Sequence, residues 1–297
     1  MHDASETRKG EMLIFLGAVL WAFFPIITVL TYSTLPSLVS LGLSTLLATL
    51  FFAGVMTYRK RWHELRDVQL WKYSLLVAIF IGVLYYSFIF IGLESTTPGN
   101  MAIIALFEVF TSFLLFHVFR REPISFEYKI GAALMVMGAA IVLARDFSGI
   151  NIGDVLILVA VCCSPFGNLF QQRARKIGSS ESIMFLRSLF STPALFALAY
   201  MLGARASFAD IRTSLLFLLI NGILLLGLSK LFWIEAIHRI SVTKGVALSS
   251  VSPFLTLLLA WLILHQAPAV WQIIGLIPLG VGVSLLTGQM KLKTRAV

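Results

Sequence analysis

The sequence contains little charge and almost no cysteine. Of its 297 residues, 12% are charged and 59% are hydrophobic, whereas a water-soluble protein carries roughly a quarter charged residues. This deficit excludes an ordinary soluble domain. The two cysteines, Cys162 and Cys163, are adjacent, and neighbours on a helix point about 100° apart. We therefore expect neither a disulfide nor a cysteine metal site.

The motifs of catalysis and nucleotide binding are also missing. The sequence has no H-x-x-x-H pair, no Ser-His set within its apolar stretches and no glycine-rich nucleotide loop. We expect no enzyme, no cofactor and no bound metal. A primary pump would need another subunit to hydrolyse ATP.

Long apolar runs are abundant. Ten of them, separated by short polar loops, lie near 11–31, 36–56, 73–93, 100–119, 126–144, 155–172, 183–202, 214–236, 244–264 and 270–288. Each can cross a hydrocarbon core ~30 Å thick as a helix. The sequence therefore predicts an all-α integral membrane protein with ten transmembrane helices, named spans 1 to 10.

The net charge of +9 follows a topological pattern. Of the 23 basic residues, 18 lie in the two tails and in alternate loops. Because basic loops stay on the cytoplasmic side, we expect a multi-pass protein of the inner membrane with both termini in the cytoplasm. Because membrane topology accounts for the basic residues, we expect no nucleic-acid partner.

The chain repeats itself at a shift of 144 residues. Gly131 falls on Gly275, Gly138 on Gly282 and Phe110 on Phe254, and the span boundaries also superpose. We predict a tail at 1–10, a five-span unit at 11–145, a second at 153–288 and a tail at 289–297. Since five is odd, the second unit enters the membrane inverted, as in many secondary transporters.

Several short motifs resemble one family. They are ALSSVSPFLTLLLAWLILHQAPAVWQIIGLIPLGVGVSLLTG at 247–288, the preceding AIHRISVTKGVAL, and in the first unit GLESTTPGNMAII and Arg121-Glu122-Pro123. Together they resemble the EamA-type repeat of the drug/metabolite transporter superfamily. The resemblance implies a secondary transporter with spans 5 and 10 outside its cavity. Its relatives mostly export metabolites or amino acids, and some import them.

Two positions depart from the family pattern, each in one half only. The family proline of the fourth repeat helix is present as Pro253, but its first-half counterpart is Val109. The arginine that commonly opens the second repeat helix is present as Arg187, but its counterpart is Leu43. Both departures break the symmetry of the halves near the middle of the membrane.

Glu108 is the only charged residue between Met101 and Phe116. An ionised carboxylate is costly there, and such residues commonly face a cavity. Polar residues at helical spacing form one stripe beside it and two more on spans 6 and 9. We therefore predict a central substrate site lined by Glu108, Thr111, Ser112, Asn168, Ser249 and Ser252.

Glu108 has two alternative roles. It binds a cationic group of a solute or exchanges a proton for it, or it stays protonated as a hydrogen-bond donor between helices. Arg187 and Glu235, near the ends of spans 7 and 8, are candidates for a gating or structural ion pair, and Glu108 is a candidate coupling residue.

Other candidate contacts lie on spans 1, 3 and 8. Trp21 and Tyr86 could form an aromatic wall over a cation. Lys230 is the candidate partner of Glu108, but at 100° per residue it lies about 180° from Asn221, so only one of the two should face the cavity. Substrate contact by Lys230 is left open.

Three of the prolines inside the predicted spans lie on polar faces. Pro25, Pro165 and Pro253 should free the carbonyls of Trp21, Val161 and Ser249, which are then available to a cavity or a neighbouring helix; the alternative is that the prolines only bend helices for packing.

These features predict a secondary transporter of a small cationic or zwitterionic metabolite, such as an amino acid, working by alternating access, with export favoured. The alternatives are an uptake carrier and a non-transporting structural membrane protein. The expected partners are the solute, a candidate coupling proton and the bilayer, for a monomeric chain.

Overall fold

The computed structural model describes residues 4–120, 126–144, 151–237, 239–240, 245 and 248–290. All regular structure in these ranges is helical. Eight helices are long and apolar enough to cross a membrane, matching spans 1 to 8, and two shorter apolar helices match spans 9 and 10. The helices that match the spans are α1 (Ala4–Thr31), α2 (Ser37–Tyr58), α3 (Val68–Gly92), α4 (Pro98–Ala105 and Glu108–Arg120), α5 (Phe126–Ala144), α6 (Ile152–Ala174), α7 (Ser180–Met201), α8 (Leu215–Ala236), α9 (Ser252–Leu264) and α10 (Val270–Leu286). Two short helices, Trp62–Arg66 and Phe208–Thr213, lie in the loops.

Polar residues in the loops fix where the helices begin. The side chains of Asp67, Thr97, Asn151 and Ser179 each accept a backbone N–H from the first turn of the helix that follows. The first helix begins earlier than expected. α1 starts at Ala4, within the segment 1–10 predicted to be a tail. The predicted C-terminal tail lies outside the described residues from 291 onward.

Two pairs of equivalent helices contact each other across the repeat. In α5 and α10, Gly131 faces Gly282 and Gly138 faces Gly275, so the two helices run antiparallel. A Cβ on Gly138 would come within 2.8 Å of the Gly275 carbonyl oxygen. The glycines that align between the halves therefore create one close backbone contact, which small residues make possible in membrane helices.

The second such pair is α2 with α7. Gly42 lies against the ring of Phe196, and the Thr49 and Thr192 hydroxyls are 3.4 Å apart. The remaining helices lie between this pair and the α5–α10 pair: α3 and α8 pack on α7 and α2, and α1 and α6 pack on α9 and α4. The core thus forms where the two halves meet.

α3 and α8 each contain a π-helical stretch, at Ala78–Tyr85 and Ile220–Leu228. Both stretches include a glycine that lets a neighbouring helix approach. A Cβ on Gly82 would collide with Ser191 on α7, and a Cβ on Gly222 would meet Leu47 and the Ser44 carbonyl on α2. A π-helix bonds i to i+5 and so turns less per residue than an α-helix.

Helical bonding is interrupted in α4 and before α9. The turn at 106–107 separates the two parts of α4, and a turn at 250–251 precedes α9, 144 residues later. Pro253 occupies the first turn of α9, where a proline has no N–H to leave unpaired. The first half is thus interrupted just before Val109, although it lacks the proline that the second half has as Pro253.

Candidate functional site

Glu108 lies at the first position of the second part of α4, directly after the interruption. Its carboxylate joins α4 to α6: the Ser164 hydroxyl donates to Oε1, and Asn168 Nδ2 donates to the same oxygen at 2.9 Å. Asn168 Nδ2 also lies 3.2 Å from Ser164 Oγ. The predicted stripe on span 6 therefore faces the glutamate.

Thr111 lies one turn after Glu108 and bonds to the same neighbouring helix. Its hydroxyl donates to the Val161 carbonyl at 2.9 Å. Pro165 cannot donate to that carbonyl because it has no N–H. The predicted free carbonyl is thus satisfied by a side chain from α4.

Lys230 and Asn221 both contact α1. The Lys230 ammonium lies 3.2 Å from the centre of the Trp21 ring, and Asn221 Nδ2 donates to Thr28 Oγ1 at 3.1 Å. The prediction that these two residues occupy opposite faces of span 8 is wrong. It assumed 100° per residue, whereas most of the chain between them is π-helical.

Arg187 is buried on α7, with 5% of its side chain exposed. Its guanidinium lies over the Tyr86 ring, 5.9 Å from the ring centre. Tyr86 packs edge-on against Phe24, which stacks on Trp21 at 4.3 Å. Lys230 is within electrostatic range of both Arg187 and Glu108. The structure therefore brings two cations and one carboxylate together among aromatic rings.

The serine candidates lie around this cluster. Ser249 donates to the Gly245 carbonyl at 2.9 Å, Ser252 is buried at the start of α9, and Ser112 is partly buried on α4. α9 is tied to α1 by Thr256, whose hydroxyl donates to the Ala22 carbonyl at 3.0 Å. Whether Ser112, Ser249 and Ser252 bind a solute stays a prediction.

A cavity of about 330 Å³ lies at the end of the molecule where α2 and α6 finish and α7 begins. Charged residues line it: Arg59, Arg61, Arg175, Lys176, Glu64, Glu181 and Glu235. We call it the vestibule. It is crossed by ion pairs between the halves, from Arg59 to Glu235 at 3.1 Å and to Glu181 at 3.5 Å.

Glu235 therefore has partners other than the one expected. It pairs with Arg59 and, at 3.1 Å, with Arg239, while Arg187 lies deeper against Tyr86. Burial lowers the pKa of the Arg59 guanidinium, but the carboxylates of Glu235 and Glu181 outweigh it, and the pKa is raised overall. The Glu235 carboxylate likewise raises the pKa of Arg239.

A buried polar network at the opposite end was not anticipated from the sequence. Asn100 Nδ2 donates to Asp154 Oδ2 at 3.1 Å, the Thr96 hydroxyl donates to Oδ1, and Gln272 Nε2 donates to Asn100 Oδ1 at 2.7 Å. Asp154 is 0% exposed. The network joins the start of α4, α6 and α10. A polar residue near the start of a span reads as a loop residue, so sequence periodicity carries no signal for it.

The fold is similar to that of a solved protein. One crystal structure, titled only "Crystal structure of protein", superposes with a TM-score of 0.66 at 20% identity, covering 93% of this chain and 95% of that chain. A search of curated proteins found no match. The model of the EamA-like transporter family matches the chain twice, over residues 8–144 and 151–288. Each match covers one of the two halves. The chain accordingly belongs to the EamA-like transporter family, a family of membrane transporters.

Proposed function

We propose that the chain is a secondary transporter that moves a small zwitterionic or cationic organic solute, such as an amino acid, across the inner membrane by alternating access. The two five-helix units are inverted, both termini are cytoplasmic, and the chain works as a monomer. Direction and coupling are part of the same proposal: the solute leaves the cell, and a proton is the candidate coupling ion.

The observation that carries this proposal is the interruption of α4 and the start of α9 at equivalent positions of the two halves. Interrupted helices in corresponding positions of inverted repeats are where such transporters bind their solutes. Glu108 lies at one of the two interruptions and Ser252 at the other.

The charge of the site supports the solute class. Glu108 can face an ammonium group, whereas both faces of the Trp21 ring are already covered, one by Lys230 and the other by Phe24. In an exporter, the solute would enter through the vestibule, which lies at the predicted cytoplasmic end. The buried network around Asp154 would close the other end.

The first experiment identifies a solute. Purified protein is heated in the presence of amino acids, polyamines, quaternary amines and nucleosides one at a time, because a ligand of the native state raises the unfolding temperature. The hits are then assayed for counterflow in proteoliposomes.

The second experiment tests Glu108. We expect Glu108→Gln to fold and insert normally yet to lose transport or its pH dependence, because glutamine keeps the hydrogen bonds but cannot titrate. Ser252→Ala should have a milder effect. Glu94→Gln is the control, since Glu94 is an exposed carboxylate in the loop before α4. An unchanged rate and pH profile in Glu108→Gln would favour the alternative that the glutamate only holds α4 to α6.

A further inference from the structure

Arg187 is a buried cation without a carboxylate partner in the part of the chain that the structure describes. Its guanidinium carbon lies 5.9 Å from the centre of the Tyr86 ring. An uncompensated buried charge is strongly unfavourable. An incoming anion would offset that cost.

A second polar group beside Arg187 also lacks a partner. The Ser188 side chain is 1% exposed, and its hydroxyl makes no hydrogen bond within the described residues. Arg187 and Ser188 line one small cavity with Thr45, Gly82, Tyr86 and Ser191. Buried hydroxyls are usually hydrogen-bonded, so this one points to a ligand group.

The cavity has a volume of about 10 Å³, which is the space of one water molecule. It lies among α2, α3, α7 and α8, two of which carry π-helical stretches at this level. A carboxylate needs more room than one water, so these helices must separate slightly when it enters.

Arg187 and Lys230 lie close to vestibule residues along α7 and α8. Arg187 follows Glu181, a vestibule residue, by six positions on α7, or roughly 9 Å along the helix. Lys230 precedes Glu235, another vestibule residue, by five positions on α8, or roughly 8 Å. Both cations therefore lie at a similar depth below the same opening.

We propose that Arg187 and Ser188 form a subsite for a carboxylate group, so that the transported solute carries an acid group as well as an amine. Lys230 adds a second positive charge on the same side, and Glu108 takes the amine. The inference rests on the proposed function and narrows its solute class from cationic or zwitterionic to zwitterionic. Arginine suits a carboxylate because its planar guanidinium can donate two parallel hydrogen bonds.

The test uses matched compounds that differ by one group. Each of L-leucine, L-phenylalanine and L-lysine is compared with its decarboxylated amine, namely isopentylamine, 2-phenylethylamine and cadaverine, by thermal shift and by counterflow in proteoliposomes. We expect wild-type protein to bind at least one amino acid roughly tenfold more tightly than its amine, the ratio that a charge-assisted hydrogen bond provides. Equal or tighter binding of the amines would overturn the subsite while leaving the transporter intact. Binding of none of the six compounds would also overturn it, and the broader solute screen then decides separately whether the chain transports anything.

Two variants separate binding from structural roles. Arg187→Gln should lose the tenfold preference and keep or raise the unfolding temperature of the empty protein, because it removes an uncompensated charge. A lowered unfolding temperature with an intact preference would mean that Arg187 only supports the fold. Ser188→Ala should weaken binding of the amino acid several-fold and leave binding of the amine unchanged.

The matched control for Ser188 is Ser180→Ala. Ser180 is also on α7, is 1% exposed, and has a hydroxyl without a hydrogen bond among the described residues, but it lies outside the cavity. We expect it to bind both compounds as the wild type does. An equal loss in both serine variants would count against the subsite.

Discussion

At the scale of single residues, Thr111 shows how a proline is accommodated inside a membrane helix. Pro165 leaves the Val161 carbonyl without its usual donor, and no water is available in a hydrocarbon core to replace it. The Thr111 hydroxyl donates to that carbonyl at 2.9 Å from a different helix. A bond that is normally internal to α6 has become a contact between α4 and α6.

The contribution of the Thr111 hydroxyl, which replaces the missing backbone N–H at Pro165, can be measured. We expect Thr111→Val to lower the free energy of unfolding by ~1–3 kcal/mol, because it leaves a buried carbonyl unpaired. In a Pro165→Ala background the same change should cost less, since the alanine N–H can bond to Val161. Thermal unfolding in detergent of the four proteins gives the coupling energy. Additive effects would show that Thr111 does not replace the missing backbone donor.

At the scale of helices, the α5–α10 pair depends on the absence of side chains. Gly138 and Gly275 face each other so closely that a Cβ on Gly138 would lie 2.6 Å from Leu279 Cγ and 2.8 Å from the Gly275 carbonyl oxygen. Gly280, on α10, has nothing within 4 Å of its Cβ position. On α10, Gly275 therefore allows the close contact with α5, whereas Gly280 makes no such contact.

The contrast predicts opposite outcomes for the same substitution. Gly138→Ala should destabilise the protein by ~1–3 kcal/mol, because the added methyl forces the two backbones apart. Gly280→Ala should be neutral, or stabilising by up to about 1 kcal/mol, because alanine favours the helix. Unfolding temperatures in detergent compare the two. Similar values for both would mean that α5 and α10 are not held by their close approach.

At the scale of the whole molecule, equivalent helices of the two halves that contact each other run in opposite directions. α5 runs antiparallel to α10 and α2 to α7, yet the two ends of the molecule differ in their side chains. Ion pairs cross one end, and the buried network of Asp154, Asn100 and Gln272 crosses the other. The positive-inside rule predicts which end faces the cytoplasm, and a direct test of that prediction is possible.

Single cysteines test this orientation in intact cells. In a background with Cys162 and Cys163 changed to serine, Ser95→Cys and Ser207→Cys should react with a membrane-impermeant maleimide added outside, because both positions lie in loops predicted to face out. Arg61→Cys should react only after the cells are opened. The reverse pattern would contradict the proposed topology and the inverted arrangement with cytoplasmic termini.

The sequence predicted the helical architecture and the two repeats because both depend on local hydrophobicity and on simple self-similarity. It also placed Glu108 beside the polar face of span 6, since α6 turns regularly enough for 100° per residue to hold. It failed for Lys230 and Asn221, where π-helical bonding changes the rotation. It gave no sign of the Asp154 network, which depends on long-range contacts between residues at helix ends.

The π-helical stretch of α8 also determines the direction in which Lys230 points. With i to i+5 bonding, Lys230 points at Trp21 alongside Asn221 and Thr28; with i to i+4 bonding along the same stretch, it would face about half a turn away. The position of this positive charge inside the bundle therefore depends on how the backbone of α8 winds. A substitution among residues 220–228 that favours ordinary winding would remove a positive charge from the interior without altering any charged residue.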